Sequence, residues 1–233
     1  MTDIYRVLKA CPLFAGFPQN ALQEAAADIR VRQLTAGERI YQKGEPQSSL
    51  CLIASGTVRI SSVNAEGREA VLMLFERGTW FGDAVFSPGA PRVYDATANE
   101  SAEVLELPGE VFRELMARYP QSYPVILDLI SQRLWSAISM IEEDALGDIE
   151  SRIGRRLMFL VQMQHGGQVT DEPVTIRLTR EHLANMMGMT RQGVHRVLKG
   201  LEHNGLLQLG YRQMVIPHPE ALADYLDRQR SGG

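Results

Sequence analysis

Cysteine is scarce in this chain: Cys11 and Cys51 are the only two among 233 residues. Two thiols cannot build a disulfide scaffold, a four-thiolate zinc site or a four-thiolate iron–sulfur cluster within one chain. Cys51 lies in the strand-like run SLCLIASG and is read as a small core residue, whereas Cys11, before Pro12, leaves a redox role open. Long apolar runs are also missing, since no stretch approaches the roughly 18 residues of a membrane span. The opening MTDIYRVLKACPLF has no long apolar segment with a small-residue cleavage site, so no secretory signal and a cytoplasmic protein are expected. Histidine is absent from the first 164 positions; all five (165, 182, 195, 203 and 218) come later. No Gly-rich phosphate loop, no G-x-S-x-G turn and no His/Asp/Glu metal spacing occurs, and no enzyme is expected.

What is present is the balance of a soluble globular protein, 45% hydrophobic and 22% charged, long enough for one large domain or two ordinary ones. The net charge of −4 argues against a protein that coats nucleic acid indiscriminately. Its distribution is uneven. Residues 148–233 carry 11 Lys+Arg against 9 Asp+Glu, while residues 1–147 carry 13 against 19. An acidic front and a mildly basic back suggest two jobs.

After an amphipathic stretch, FPQNALQEAAADIR, glycines punctuate short apolar segments: RIYQ, SLCLIA, TVRISSV, EAVLMLF and AEVLEL. Closely spaced short strands of this kind predict an antiparallel sandwich or barrel, with one hairpin turn at Asn64–Gly67. Pro108 to Tyr119 reads as a helix. A longer one is predicted from about Gln121 to Leu146, on the order of 35–40 Å long. Along it Leu127, Ile130, Leu134, Ala137, Ile141 and Ala145 recur near heptad spacing, and Trp135 and Ile138 widen the apolar stripe. This predicts pairing with a second copy, the alternative being packing on its own domain. Gly147–Asp148 breaks the helix and Asp148 can cap the next, IESRIGRRLMFLVQMQ. HGGQVTDEP reads as a loop. No internal repeat and no low-complexity tract is found.

The segment LTREHLANMMGMTRQGVHRVLKGLEHNGLL carries the chemistry. Thr179 can cap a helix from Arg180 to Met187 whose Leu183, Met186 and Met187 face inward, with Ala184 small at a helix crossing. Gly188 supplies a sharp turn, and Thr190 can cap a second helix. There Val194, Val197, Leu198 and Leu201 form one stripe, and Arg191, Gln192, His195, Arg196 and Lys199 the other. Arginine bonds bidentately to guanine and glutamine to adenine, and these residues occupy the first half of the helix, the part a helix-turn-helix inserts into the major groove. An ordinary solvated face would also be cationic. The tight glycine turn and the following β-ribbon LLQLGYRQMVIPH, a wing that would carry Arg212, favour double-stranded DNA as the partner.

At this point the sequence resembles the CRP/FNR family of bacterial transcription regulators. The quoted segment is similar to that family's helix-turn-helix, and LTAGERIYQKGE, IASGTVRI and GREAVLMLFERGTWFGD are similar to its β-roll sensor. The resemblance covers nearly the whole chain in the right order. It implies an α+β chain: a β-roll, jelly-roll-like effector domain over residues 1–120, a dimerisation helix over 121–147, and a winged helix-turn-helix over 148–233. It also implies a homodimer on a near-palindromic operator, a small-molecule effector and contact with RNA polymerase. The family's DNA-reading positions fall on Arg191, Gln192 and Arg196; many members with the cyclic-AMP operator preference have Glu where this chain has Gln192.

The family's phosphate-binding cassette resembles FGDAVFSPGAPRVYDATA. Cyclic-nucleotide binders there use a Gly-Glu pair and an Arg-Ser or Arg-Thr pair. This chain has Gly82–Asp83 and Arg92–Val93, and the hydroxyl pair that contacts adenine falls on Ala137 and Ile138. Three polar contacts are missing or altered, at about 1–3 kcal/mol for each buried group left unpaired, which argues against tight cyclic-AMP binding. Arg92 still suits an anion. Haem held by histidine in the roll and an iron–sulfur cluster are not expected. The effector is then a less polar ligand against Trp135 and Ile138, or none. The alternative function is a nucleotide-binding regulatory module acting through protein contacts.

Overall fold

Glycine-punctuated apolar segments become strands of two four-stranded sheets. The structure, a computed structural model, describes residues 3–46, 49–67, 69–87, 89–164 and 171–231. It divides into two compact units, Met1–Arg68 with Leu72–Ile130, and Glu69–Val71 with Ser131–Gly233.

In the first unit, one sheet has the order β1 (Arg30–Leu34), β8 (Ala102–Pro108), β3 (Ser49–Ser55), β6 (Trp80–Phe81). The other has the order β2 (Arg39–Tyr41), β7 (Asp95–Ala98), β4 (Thr57–Val63), β5 (Glu69–Glu76). Because the chain crosses between the sheets after β1, β2, β3, β5, β6 and β7, they form a roll, the predicted fold class. The turn read at Asn64–Gly67 is present: Gly67 donates its N–H to the Asn64 carbonyl at 3.0 Å with φ +78°.

Strand β3 is buried on both faces. Leu50, Leu52 and Ala54 pack with Leu8, Phe14 and Phe112, which come from three elements covering the sheet: α1 (Ile4–Ala10), the turn Pro12–Phe14, and α3 (Gly109–Arg118). Helix α2 (Gln19–Asp28) adds Ala21, Leu22 and Ala25. Side chains alternate along a strand, so Cys51 and Ile53 point to the other face, into the roll. Cys51 is buried as expected, and so is Cys11; burial pushes the Cys51 thiol up to about 12 against the opposing charge of Arg92.

Helix α4 (Tyr123–Leu146) follows a short turn at Pro120–Ser122. It leaves Leu127, Leu134, Trp135, Ile138 and Ile141 exposed. The second unit then contains α5 (Ile149–Gln164), β9 (Val174–Ile176), α6 (Arg180–Met187), α7 (Arg191–His203), β10 (Gln208–Leu209), β11 (Met214–Ile216) and α8 (Pro219–Ser231). Asp148 caps α5, its carboxylate accepting from the Ser151 N–H at 2.7 Å. The loop expected at HGGQVTDEP lies mostly outside the described residues, and its final residues lead into β9. Strand β9 was not anticipated. It completes a three-stranded sheet, β10-β11-β9. Helix α8 was not anticipated either; it packs on α5 so closely that a Cβ on Gly154 would lie 2.5 Å from Leu226.

Candidate nucleic-acid interface and sensor pocket

Each helix of the turn motif starts on its own threonine. The Thr179 hydroxyl accepts from the His182 N–H, and that of Thr190 from the Gly193 N–H, both at 3.1 Å. Each cap contributes about 1 kcal/mol. Gly188 ends α6 at φ +61°, a left-handed conformation in which a Cβ is strained. Beneath the motif Leu183, Ala184, Met187, Val194, Leu198 and Leu201 are buried, while Met186 and Val197 are half-buried. At about 1.5–3 kcal/mol for each large apolar side chain, this underside anchors α7.

The opposite face stays in solvent. Arg191, Gln192, Arg196 and Lys199 are exposed, and Thr179 and Arg180 are half-buried. Among the described residues, Arg191, Gln192 and Arg196 make no side-chain hydrogen bond or ion pair. His195 differs from its neighbours. It is half-buried, with Nδ1 fully enclosed and without a hydrogen-bond partner, because it sits one position from Val194 and three from Leu198.

The ribbon is a two-stranded wing. Leu209 pairs with Met214 and Gln208 with Val215, and the Gly210 N–H donates to the Gln213 carbonyl at 3.0 Å. At its tip Tyr211 is 91% exposed. The residue in left-handed conformation there is Arg212, at φ +56°, rather than Gly210. A groove of about 400 Å³ runs between the wing and the two helices, lined by Thr179, Arg180, Arg191, Tyr211, Arg212 and Gln213. Three arginines against one carboxylate, Glu181, leave the groove net positive and suited to a phosphate backbone.

Glu202, which sequence reasoning missed, joins α7 to the wing. Its Oε2 accepts from Lys199 Nζ at 2.6 Å and its Oε1 from the backbone N–H of Leu209 at 2.9 Å. The bond from Lys199, then that from Leu209, holds the carboxyl below the usual glutamate range. At the start of the unit a second carboxylate spans the break between α4 and α5. Asp144 meets Arg152 Nε at 3.1 Å and Arg156 Nη2 at 3.8 Å. Burial lowers the pKa of Arg156, with Asp144 opposing.

The residues expected to bind an effector are distributed over both units. In the first, Arg92 is only 4% exposed. Its Nη2 donates to the carbonyl and hydroxyl of Ser49 at 3.1 and 3.3 Å, and its guanidinium carbon lies 3.8 Å from the centre of the Tyr41 ring. Its Nε and Nη1 are buried without partners. Among the described residues no carboxylate pairs with it. A buried cation with two free donors fits an anionic group. Burial, followed by the neighbouring Tyr94 and Cys51, drives the Tyr41 hydroxyl far above the usual tyrosine range, so Tyr41 acts as a neutral platform. Val93 points the other way and is exposed. Gly82 is buried at φ +96°, and Asp83, half-buried, begins a short 3-10 turn. In the second unit Trp135 and Ile138 are exposed and Ala137 is half-buried.

A β-roll followed by a winged helix-turn-helix defines a DNA-binding transcription regulator with a sensor domain. Residues 31–119 match the cyclic nucleotide-binding domain family, and residues 151–225 match the Crp-like helix-turn-helix domain. The chain is 26% identical over 221 residues to the CRP-like cAMP-activated global transcriptional regulator of Mycobacterium tuberculosis, covering 93% of this chain and 97% of that one. It is 27% identical to the global nitrogen regulator of Synechococcus elongatus, covering 84% and 89%. The crystal structure of the Thermus thermophilus catabolite activator protein superposes with a TM-score of 0.51 at 27% identity, covering 91% of this chain and 97% of that one. The c-di-GMP responsive regulator CLP of Xanthomonas campestris shares the fold at 24% identity, with a TM-score of 0.63 and coverage of 85% and 99%.

The chain belongs to the CRP/FNR family. It is a transcriptional regulator that binds DNA through its helix-turn-helix, and its relatives are regulators rather than enzymes. Among the described residues no helix is long and apolar enough to cross a membrane.

Proposed function

We propose that the protein is a homodimeric, sequence-specific regulator that reads a near-palindromic operator in the cytoplasm and communicates with RNA polymerase. Arg191, Gln192 and Arg196 read base edges. Thr179, Arg180, Thr190, His195 and Arg212 face the backbone, and Lys199, on the same stripe, is held in an ion pair with Glu202. The division of labour follows residues 1–120 for sensing, 121–147 for pairing and 148–233 for DNA. One observation carries this reading: Arg191, Gln192 and Arg196 stand free in solvent on the first half of α7, opposite the buried Val194, Leu198 and Leu201. Support for the dimer comes from α4, where Leu127, Leu134, Ile138 and Ile141 are exposed at near-heptad spacing.

The effector is an anion seated on Arg92, in the cassette that also holds Gly82, Asp83 and Val93. The free donors of Arg92 support the anion; the loss of a hydroxyl at Val93 and of the hydroxyl pair at Ala137–Ile138 argues against cyclic AMP. Named relatives respond to different cyclic nucleotides, one being cAMP-activated and another c-di-GMP responsive.

The test is selection of bound duplexes from random DNA, followed by titration of variants on the selected site. Arg191→Ala or Arg196→Ala is expected to cost about 1–3 kcal/mol and relax specificity at one base position. Binding as tight as the parent's by both variants would refute the assignment of the reading helix.

A further inference from the structure

We propose that Glu202 is the positioning residue that sets the wing against the reading helix and withholds Lys199 from the DNA backbone. This rests on the reading of α7 given above. The last turn of α7 and the first strand of the wing lie seven residues apart in sequence, and one carboxylate joins them. Strand β10 is at the edge of its sheet, in the order β10-β11-β9. Its Leu209 N–H would otherwise have to find its partner outside the protein. Glu202 Oε1 takes that bond at 2.9 Å. The tip that carries Tyr211 and Arg212 begins at the very next residue, so the clamp fixes the base from which the tip projects.

The second oxygen does a different job. Oε2 accepts from Lys199 Nζ at 2.6 Å. Lys199 is exposed on the same helix as Arg191 and Arg196, where its charge would be available to a phosphate. Bound to Glu202, it presents a neutralised pair instead. A cation already compensated by a carboxylate displaces no counterion from a duplex, so it adds nothing to the salt dependence of binding. Arg180 also feels the carboxylate. Glu202 therefore tunes two properties that can be separated: wing placement through Oε1, and the number of cations offered to the backbone through Oε2.

Two substitutions separate them. Glu202→Gln keeps an oxygen for Leu209 and removes the charge that holds Lys199; Glu202→Ala removes both. The readout is the slope of log affinity against log salt, measured by fluorescence anisotropy on a labelled duplex of random sequence, with circular dichroism as the check on folding. For E202Q the slope is expected to steepen by about 0.9, the equivalent of one added phosphate contact. Adding Lys199→Ala to E202Q is expected to restore the parental slope, whereas Lys199→Ala alone leaves it unchanged.

On the selected operator, E202A is expected to bind about three- to tenfold more weakly than E202Q, the equivalent of one lost hydrogen bond. In the E202A background, Arg212→Ala is expected to cost less than it does in the parent. Should E202A not fold, the E202Q and Lys199→Ala slopes decide the matter alone. An E202Q slope equal to the parent's, or a Lys199→Ala slope shallower than the parent's, would overturn the proposal. The assignment of α7 fails separately, if the parent does not bind duplex DNA or Arg191→Ala leaves its affinity unchanged.

Discussion

Replacing Arg92 with methionine is expected to make the protein more stable. Moving a guanidinium out of water costs several kcal/mol even after relaxation. The roll returns part of this. Nη2 makes two bonds to one residue, Ser49, at about 1.5–3 kcal/mol for a charged donor. The Tyr41 ring at 3.8 Å adds about 2 kcal/mol when desolvated. Nε and Nη1 are left enclosed and unpaired, at about 1–3 kcal/mol each. These unpaired donors leave the guanidinium's desolvation incompletely offset, and replacing buried charges by apolar side chains gains about 1–4 kcal/mol, so a gain of about 1–3 kcal/mol is expected here.

Methionine fills similar space without the charge, so R92M is expected to raise Tm by roughly 2–12 °C for a chain of this size. The emission of Trp80, buried at 4% exposure in the same unit, follows the transition in phosphate-free buffer. The converse arm uses inorganic phosphate. At about 100 times its dissociation constant an anion bound to Arg92 would stabilise the parent by about 2.7 kcal/mol and leave R92M unmoved. A loss of more than about 1 kcal/mol on going to methionine would show that the charge is already compensated, and the anion site would lose its physical basis.

Arg212→Gly is expected to leave Tm unchanged or slightly higher, since relieving a left-handed side chain gains about 1–2 kcal/mol and glycine gives back about 0.5–1. The same variant should bind duplex DNA more weakly, with a salt slope shallower by about 0.9. Ile141→Glu, a charge on the exposed face of α4, is expected to turn a dimer into a monomer by light scattering while the melting curve barely moves. Neither thiol should react quickly with Ellman's reagent at mildly alkaline pH, because burial holds Cys51 at about 12 and Cys11 is enclosed. Both should react at once in denaturant.

Local signals were legible in the sequence. Thr179, Gly188 and Thr190 act within three or four residues of their own positions, and the structure has each of them capping or turning as expected. The buried stripe of α7 was readable for the same reason, apart from His195, whose place beside that stripe encloses one ring nitrogen. The surroundings of Arg92 were not readable. They come from Ser49, 43 residues away, and from Tyr41 on a strand of the other sheet, and no spacing rule connects them. Strand β9 has only three residues and is defined by pairing with β11. Helix α8 buries Leu222 and Leu226, too thin a stripe to stand out. Glycine drew attention to the wing turn, but the backbone assigned the unusual angle to Arg212, two positions on.

The joint at Asp144 has a mechanical consequence. Two helices that break at Gly147–Asp148 share no continuous backbone ladder, so their relative setting depends on the side chains that bridge them. Here one carboxylate and two guanidinium groups bridge the joint, beside a cleft lined by Trp135, Met140, Met158 and Phe159; dissolved ions weaken the charged part and leave the hydrocarbon part. Brine should therefore loosen the α4–α5 joint without parting the apolar side chains beside it.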